Sequence, residues 1–244
     1  MPPPSSTLPA PAEKERAVQR MFSAIAGWYD LNNTVLSFGL HHRWKREAVA
    51  RTLARPGDAV LDLCAGTCDL ALLLADRVGS AGRVTACDLN ADMLAVGRSK
   101  VAKRGYADRI ACELGNAEAL PFADNSFDAL TVAFGLRNVT HLSKALAEMH
   151  RVLKPGARAV CLEFSRPTTA LLRKAYDVYS FTLLPKIGTL IARDRTGVYQ
   201  YLPDSIRQFP AQEDFAAMWR EAGFHDVSYT NHSGGIVAIH SGVR

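Results

Sequence analysis

The stretch Val60-Leu61-Asp62-Leu63-Cys64-Ala65-Gly66-Thr67-Cys68-Asp69 reads as a short apolar strand, residues 59–63, breaking into a loop with a single glycine and then into a helix over residues 69–78. Outward from it the same texture repeats. Apolar runs at residues 83–87, 109–114, 129–133 and 157–163 predict further strands, and helical periodicity at residues 92–103 and 143–153 predicts crossovers. Strand, helix, strand in this order builds a parallel sheet covered by helices on both faces. After a helix at residues 212–221, two last runs at residues 226–231 and 236–240 flank Ser233-Gly234-Gly235 and read as an antiparallel hairpin at the sheet edge. The expected fold is α/β, a mainly parallel seven-stranded sheet with an antiparallel C-terminal strand.

Residues 13–22 ahead of the sheet are helical in pattern, Ala26-Gly27 breaks the helix, and a second helix is expected over residues 44–53, after Asp30-Leu31-Asn32-Asn33. Residues 1–12 hold five of the twelve prolines and no charged side chain, so a mobile tail is expected there. A helical insertion is expected over residues 168–191. The chain thus divides into N-terminal helices (13–56), a core sheet (57–164), a helical insertion (165–210) and a C-terminal helix and hairpin (211–244), all within one domain. A length of 244 residues, 48% hydrophobic, suits that count. No run of about eighteen apolar residues and no signal-peptide pattern occurs, so a soluble, cytoplasmic protein is expected. The five cysteines form neither a disulfide framework nor paired zinc spacing and read as reduced thiols. A net charge of +5 is too mild to imply nucleic-acid binding.

Ligands of open parallel sheets sit beyond the carboxyl ends of the strands, where the Gly66 loop and Ala86-Cys87-Asp88 both lie. Asp88 follows Gly66 by 22 residues and can accept both hydroxyl protons of a ribose. A nucleoside-bearing cofactor is implied. A pyrophosphate needs a G-x-G-x-x-G turn, and only Gly66 is present, which disfavours an NAD-dependent oxidoreductase. Acidic Asp62 beneath the loop suits the positive charge and amino-acid tail of S-adenosylmethionine better than a phosphate. Gly115-Asn116-Ala117-Glu118-Ala119-Leu120-Pro121-Phe122 follows the third strand, and Asn116 there can face an adenine edge. A non-catalytic scaffold that keeps the fold is the remaining alternative; it would bind cofactor weakly and turn over nothing.

Three further runs carry a resemblance: Phe134-Gly135-Leu136-Arg137-Asn138-Val139; Arg151-Val152-Leu153-Lys154-Pro155-Gly156 through Leu162-Glu163-Phe164-Ser165; and Tyr29-Asp30-Leu31-Asn32-Asn33 with Ser37-Phe38-Gly39-Leu40-His41-His42-Arg43-Trp44. Over about residues 18–241 the chain resembles the quinone-biosynthesis C-methyltransferases, which act on demethylmenaquinol and on the methoxy-benzoquinol precursor of ubiquinol. The resemblance implies a Rossmann-like class I methyltransferase fold, with Thr67, Asp88, Asn116 and Ala117 contacting S-adenosylmethionine and Asp62 and Gly66 shaping its loop. Two positions depart from the pattern. Cys68 replaces the second glycine of the family's Gly-Thr-Gly-Asp, and its Cβ is expected to crowd the methionine moiety unless φ is negative. Ala133 stands where the family often has serine. Altered affinity rather than lost activity is the expectation, with Cys68 a small buried thiol that packs.

Carbon methylation of an aromatic ring needs the electron-rich quinol, and ionising a ring hydroxyl, which titrates near pH 10, helps further. Arg137, after the fourth strand, is the candidate to stabilise the developing phenolate, and Asn138 to orient the hydroxyl or a water; the other reading of Arg137 is a structural ion pair. A guanidinium is a poor proton acceptor, so water or Tyr29, partnered by Asp30, is the candidate base; the other reading is that Tyr29 and Asp30 only pack or cap a helix. Metal-assisted O-methylation would need clustered oxygen ligands, and Glu163 is the only obvious addition to Asp88, so no metal is expected. His41 and His42, roughly 100° apart if helical, read as surface or helix-start groups.

The insertion run Tyr176-Asp177-Val178-Tyr179-Ser180-Phe181-Thr182-Leu183-Leu184-Pro185-Lys186-Ile187-Gly188-Thr189-Leu190-Ile191 is apolar enough to wall a prenyl tail or to pack on the sheet as an ordinary core helix pair, while Asp177, Pro185 and Lys186 forbid a membrane span. Arg193, Arg195, Tyr199 and Tyr201 read as a basic, aromatic surface for a lipid headgroup layer, a solvated face or a homodimer contact. Residues 13–56 and 165–210 each carry a net +4, whereas residues 57–164 carry −1 and 211–244 carry −2. The basic flanks therefore favour transient peripheral docking on an anionic membrane carrying the quinol. Phe209-Pro210 resembles the menaquinone branch of the family.

Overall fold

The computed structural model describes residue 9, residues 11–192 and residues 196–244. In chain order it comprises α1 (Pro11–Ile25), a single 3-10 turn, α2 (Tyr29–Leu36), α3 (Leu40–Arg51), β1 (Ala59–Leu63), α4 (Asp69–Val78), β2 (Arg83–Asp88), α5 (Ala91–Lys103), β3 (Ile110–Leu114) and β4 (Phe127–Ala133). There follow α6 (Leu142–Val152), β5 (Leu153–Phe164), α7 (Ala170–Val178), α8 (Leu184–Ala192), α9 (Val198–Gln208), α10 (Gln212–Glu221), β6 (His225–His232) and β7 (Val237–Val243). A π-helical stretch, Tyr179–Leu183, joins α7 to α8.

The seven strands form one sheet in the order β3-β2-β1-β4-β5-β7-β6. β1 pairs in parallel with both β2 and β4, and β7 alone runs against its neighbours β5 and β6. The chain leaves β1 toward β2 on one side and returns to β4 on the other, so a crevice opens at the carboxyl ends of β1 and β4, where such sheets take ligands.

The period of two in β1 explains how both faces are buried. Leu61 and Leu63 join the core made with α6 and α10, while Val60 joins the opposite core made with α4 and α5. Asp62 takes the second position on Val60's face and is 2% exposed. A carboxylate in that place costs stability unless something pairs with it.

The strands and crossover helices fall where the hydrophobic pattern puts them. The N-terminal region differs. Asp30-Leu31-Asn32-Asn33 lies inside α2 rather than ahead of a helix, and α3 begins at Leu40, before the expected start. Helix α9 falls within the helical insertion expected over residues 165–210 but beyond its expected helical stretch at 168–191; it contains Pro203 and is held by burying Tyr199, Tyr201 and Ile206. Those two tyrosines, 4% and 2% exposed, are not a surface, which corrects that expectation. Arg193 and Arg195 lie outside the described residues, as does most of the expected tail; α1 starts two residues before residue 13. Among the described residues no helix is long and apolar enough to cross a membrane.

Candidate active site

The loop after β1 is a chain of left-handed turns, with positive φ at Cys64, Gly66 and Cys68. Gly66 at φ +52 leaves its N–H free to donate to Asp88 Oδ2 at 2.8 Å, and a Cβ there would press on Met93. The Asn90 N–H donates to Asp88 Oδ1, also at 2.8 Å. Each carboxylate oxygen thus keeps a lone pair for a ribose hydroxyl. Burial pushes the Asp88 pKa up, and these backbone N–H groups oppose that shift.

A cavity lies over this loop, walled by Gly66, Asp88, Met93, Asn116, Ala117 and Asn138. Asn116 is not a free amide. Its Nδ2 donates to Glu15 at 3.1 Å and its Oδ1 accepts the Glu118 N–H at 2.9 Å, so it braces the loop that forms the wall. Helix α1 roofs the cavity. Lys14 Nζ donates to the carbonyls of Arg137 and Val139, and Asn90, the N-cap of α5, donates to the Gln19 carbonyl at 3.0 Å.

Beside it, a small polar recess is lined by Asp62, Thr67, Asp69 and Lys45. Asp62 Oδ1 accepts from Thr131 at 2.8 Å, and its buried Oδ2 has no partner. Burial raises Asp62 to about 7. That orphaned oxygen fits the α-ammonium of S-adenosylmethionine, as the free lone pairs of Asp88 fit its ribose. Thr67 is committed elsewhere: its hydroxyl donates to Asp30 Oδ1 at 2.6 Å, and Lys100 donates to Asp30 Oδ2 at 2.7 Å. Asp30 therefore ties α2 to the cofactor loop and does not partner Tyr29, which corrects that expectation. Burial would raise the Asp69 pKa, but Lys45 and Lys100 hold it well below the usual range.

Cys68 sits at φ +64, yet it does not crowd the site. Its side chain is fully buried and turns toward α5. Ala133, by contrast, does line both polar cavities.

A larger, apolar cavity of about 340 Å³, against about 110 Å³ for the first, lies between the N-terminal helices and the insertion. Trp44, Phe134, Phe164, Tyr176 and Tyr179 are among its walls. Phe22, Tyr29 and Phe134 line both this cavity and the one at Asp88, so the two meet there. Arg137 stands on the apolar side of the junction and Asn138 on the polar side. Arg137 Nη1 pairs with Glu163 Oε1 at 2.9 Å and also donates to the Phe134 carbonyl, while its buried Nε has no partner. Asn138 Oδ1 accepts from the Tyr201 hydroxyl at 3.1 Å, and burial pushes Tyr201 up to about 12.

The sequence reading missed Tyr201 as an Asn138 partner, Glu163 as the Arg137 counterion, and His41. His41 is at the start of α3 but is buried, lines the apolar cavity and stacks on His42 at 3.9 Å between ring centroids. Burial pushes it down to about 3, so it is neutral. A charged residue closing an otherwise apolar strand was the available signal for Glu163; nothing local signalled the other two. Among the described residues no group of three or more metal-ligating side chains is placed to hold a metal ion.

The sheet order, the Asp88 carboxylate held at the loop and the orphaned Asp62 oxygen beneath it fit a class I S-adenosylmethionine-dependent methyltransferase. The chain belongs to the ubiE/COQ5 methyltransferase family, whose model matches residues 11–244. It is 50% identical over 230 residues, 94% of this chain and 90% of the relative, to the ubiquinone/menaquinone biosynthesis C-methyltransferase UbiE of Hydrogenovibrio crunogenus. In fold it is similar to a SAM-dependent methyltransferase from Aquifex aeolicus, with a TM-score of 0.59 and 19% identity over 81% of this chain and 88% of that one. It is similar also to the [4+2]-cyclase SpnF, with a TM-score of 0.70 and 16% identity over 98% of each chain.

Proposed function

We propose that the protein transfers the methyl group of S-adenosylmethionine to a ring carbon of a prenylated quinol, demethylmenaquinol, forming menaquinol. The observation that carries this reading is the meeting of a polar cofactor cavity and a large apolar cavity at Tyr29 and Phe134. Bound at Asp62 and Asp88, the cofactor supplies an electrophilic methyl on a sulfonium. The apolar cavity takes the ring and the start of the prenyl tail, and excludes water from the reacting carbon. Its aromatic walls can stack on the fused ring of a naphthoquinol. The relative's name covers both quinone routes. The resemblance of Phe209-Pro210 to the menaquinone branch supports this choice, although Phe209 itself packs on Phe215 in the main core.

Arg137 supplies fixed positive charge where the ring hydroxyl ionises, with Glu163 holding its orientation and Nε left to donate. Asn138, held by Tyr201, orients the hydroxyl or a water. The proton passes to water or to Tyr29. Metal-assisted O-methylation is not supported, since Glu163, the extra carboxylate it would use, is spent on Arg137. Assaying the purified protein with both reduced demethylated quinones and methyl-labelled cofactor tests the reading; methylation of the benzoquinol alone would overturn the substrate assignment.

The quinol is reached, on this reading, by transient docking on an anionic membrane. The two flanking segments carry the excess positive charge, and Phe38, 81% exposed, is at once surface and cavity wall. Leu171 and Leu190 add exposed apolar side chains from the insertion.

A further inference from the structure

Cys68 and Cys112 face each other behind the cofactor loop with 3.9 Å between their sulfurs. They lie on different elements: Cys68 caps α4 and Cys112 is on the edge strand β3. Room for the Cys68 thiol exists because α5 carries Gly97 there; a Cβ at that position would lie 2.4 Å from the sulfur. Cys112 is partly exposed while Cys68 is fully buried, so one thiol meets solvent and the other waits behind it. The contact with the Cys68 thiol and the nearby Arg98 guanidinium lower the pKa of the Cys112 thiol. Cys68 is also held at φ +64, which a side-chain-bearing residue adopts at a cost.

We propose that Cys68 and Cys112 form a reversible disulfide, a modification site through which small disulfides of the glutathione class weaken cofactor binding. The Cys112 thiolate attacks one sulfur of the small disulfide, forming a mixed disulfide and releasing a thiolate. Cys68 gives its proton to the released thiolate and attacks the Cys112 sulfur, expelling the second small thiolate, which takes up the proton that Cys112 had lost. Two protein thiols are oxidised and one disulfide is reduced to two thiols. Because a disulfide spans about 2.05 Å, the sulfurs must close by roughly 1.9 Å. That movement draws the start of α4 toward β3. It shifts Thr67, which holds Asp30, and Gly66, whose N–H holds Asp88. The effect on binding rests on the cofactor reading of the cleft; formation of the bond does not.

The full chain is incubated with oxidised glutathione, digested without reductant and mapped by mass spectrometry, and S-adenosylmethionine binding is measured by calorimetry before oxidation, after it, and after dithiothreitol. The expected result is a peptide linking Cys68 to Cys112, a Kd raised at least tenfold, and full recovery on reduction. Cys112→Ser, and Cys68→Gly with its tolerance of positive φ, should each keep their own affinity through the treatment. Absence of the Cys68–Cys112 link, or a link that leaves Kd unchanged, overturns the proposal. A reduced chain that binds no S-adenosylmethionine refutes the cofactor reading instead, and the mass map then decides alone whether the bond forms.

Discussion

The Arg137 guanidinium, which lines the apolar cavity, meets the Glu163 carboxylate 2.9 Å away, their side chains 5% and 2% exposed. Such a pair is costly to assemble and more costly to break, because either partner left alone is a buried uncompensated charge. Its value here is geometric: with Nη1 held by Glu163 and the Phe134 carbonyl, the unpartnered Nε has a fixed direction.

Glu163→Gln should destabilise the fold by about 3 kcal/mol in urea unfolding, since it leaves the Arg137 charge buried without its counterion. The same variant should lower kcat while the Kd for S-adenosylmethionine stays within a factor of two. Arg137→Ala should lose turnover with the cofactor still bound; near-native turnover would remove Arg137 from the chemistry.

Asp88→Ala should raise the Kd for S-adenosylmethionine about 100-fold, the loss of two hydrogen bonds to a charged acceptor at about 1.5 kcal/mol each. Isothermal calorimetry measures it directly.

Asp62, raised by burial to about 7, links the site to pH. Its folded pKa lies above the unfolded value, so its contribution to the stability of the free protein is present at acid pH and is lost as pH rises through about 7. Cofactor binding has the opposite slope, because the ammonium needs the carboxylate: Kd should rise about tenfold per unit as pH falls below about 7. Asp62→Asn should flatten both profiles, read by thermal unfolding and calorimetry across pH 5 to 8.

Asn90→Ala removes both the α5 N-cap, an Oδ1 that accepts the Met93 N–H at 2.9 Å, and the anchor of α1. A loss of about 1–2 kcal/mol in stability is expected. Faster release of S-adenosylmethionine, followed by stopped-flow displacement, should accompany it as the α1 roof loosens.

Leu171→Glu with Leu190→Glu should reduce co-sedimentation with anionic vesicles without changing turnover of a short-tailed quinol in detergent. Binding that is insensitive to salt and to lipid charge would contradict docking on a membrane surface.

The sheet was legible because β1, β2, β4 and the helices between them repeat a strict pattern of apolar period, and because Asp62 and Asp88 are charges placed against that pattern. The N-terminal helices and α9 were harder to read. Their ends are set by what they cover: Asp30 is fixed by Thr67 and Lys100, and Tyr199 by a hydrogen bond from Asn32 167 residues earlier. Arg137 was legible as a site residue, but its counterion Glu163 and the Tyr201 bracing of Asn138 are tertiary facts that no spacing encodes. The Cys68 conformation escaped for the same reason, since the space it needs comes from Gly97 on another helix.

Ring methylation of a quinol at the junction of the two cavities is read by single-turnover incubation of the protein with methyl-labelled S-adenosylmethionine and demethylmenaquinol kept reduced. The label should appear on a ring carbon, one methyl per quinol, and not when the quinone is left oxidised. Label on oxygen, or no transfer to the reduced quinol, would rule out carbon methylation at this junction.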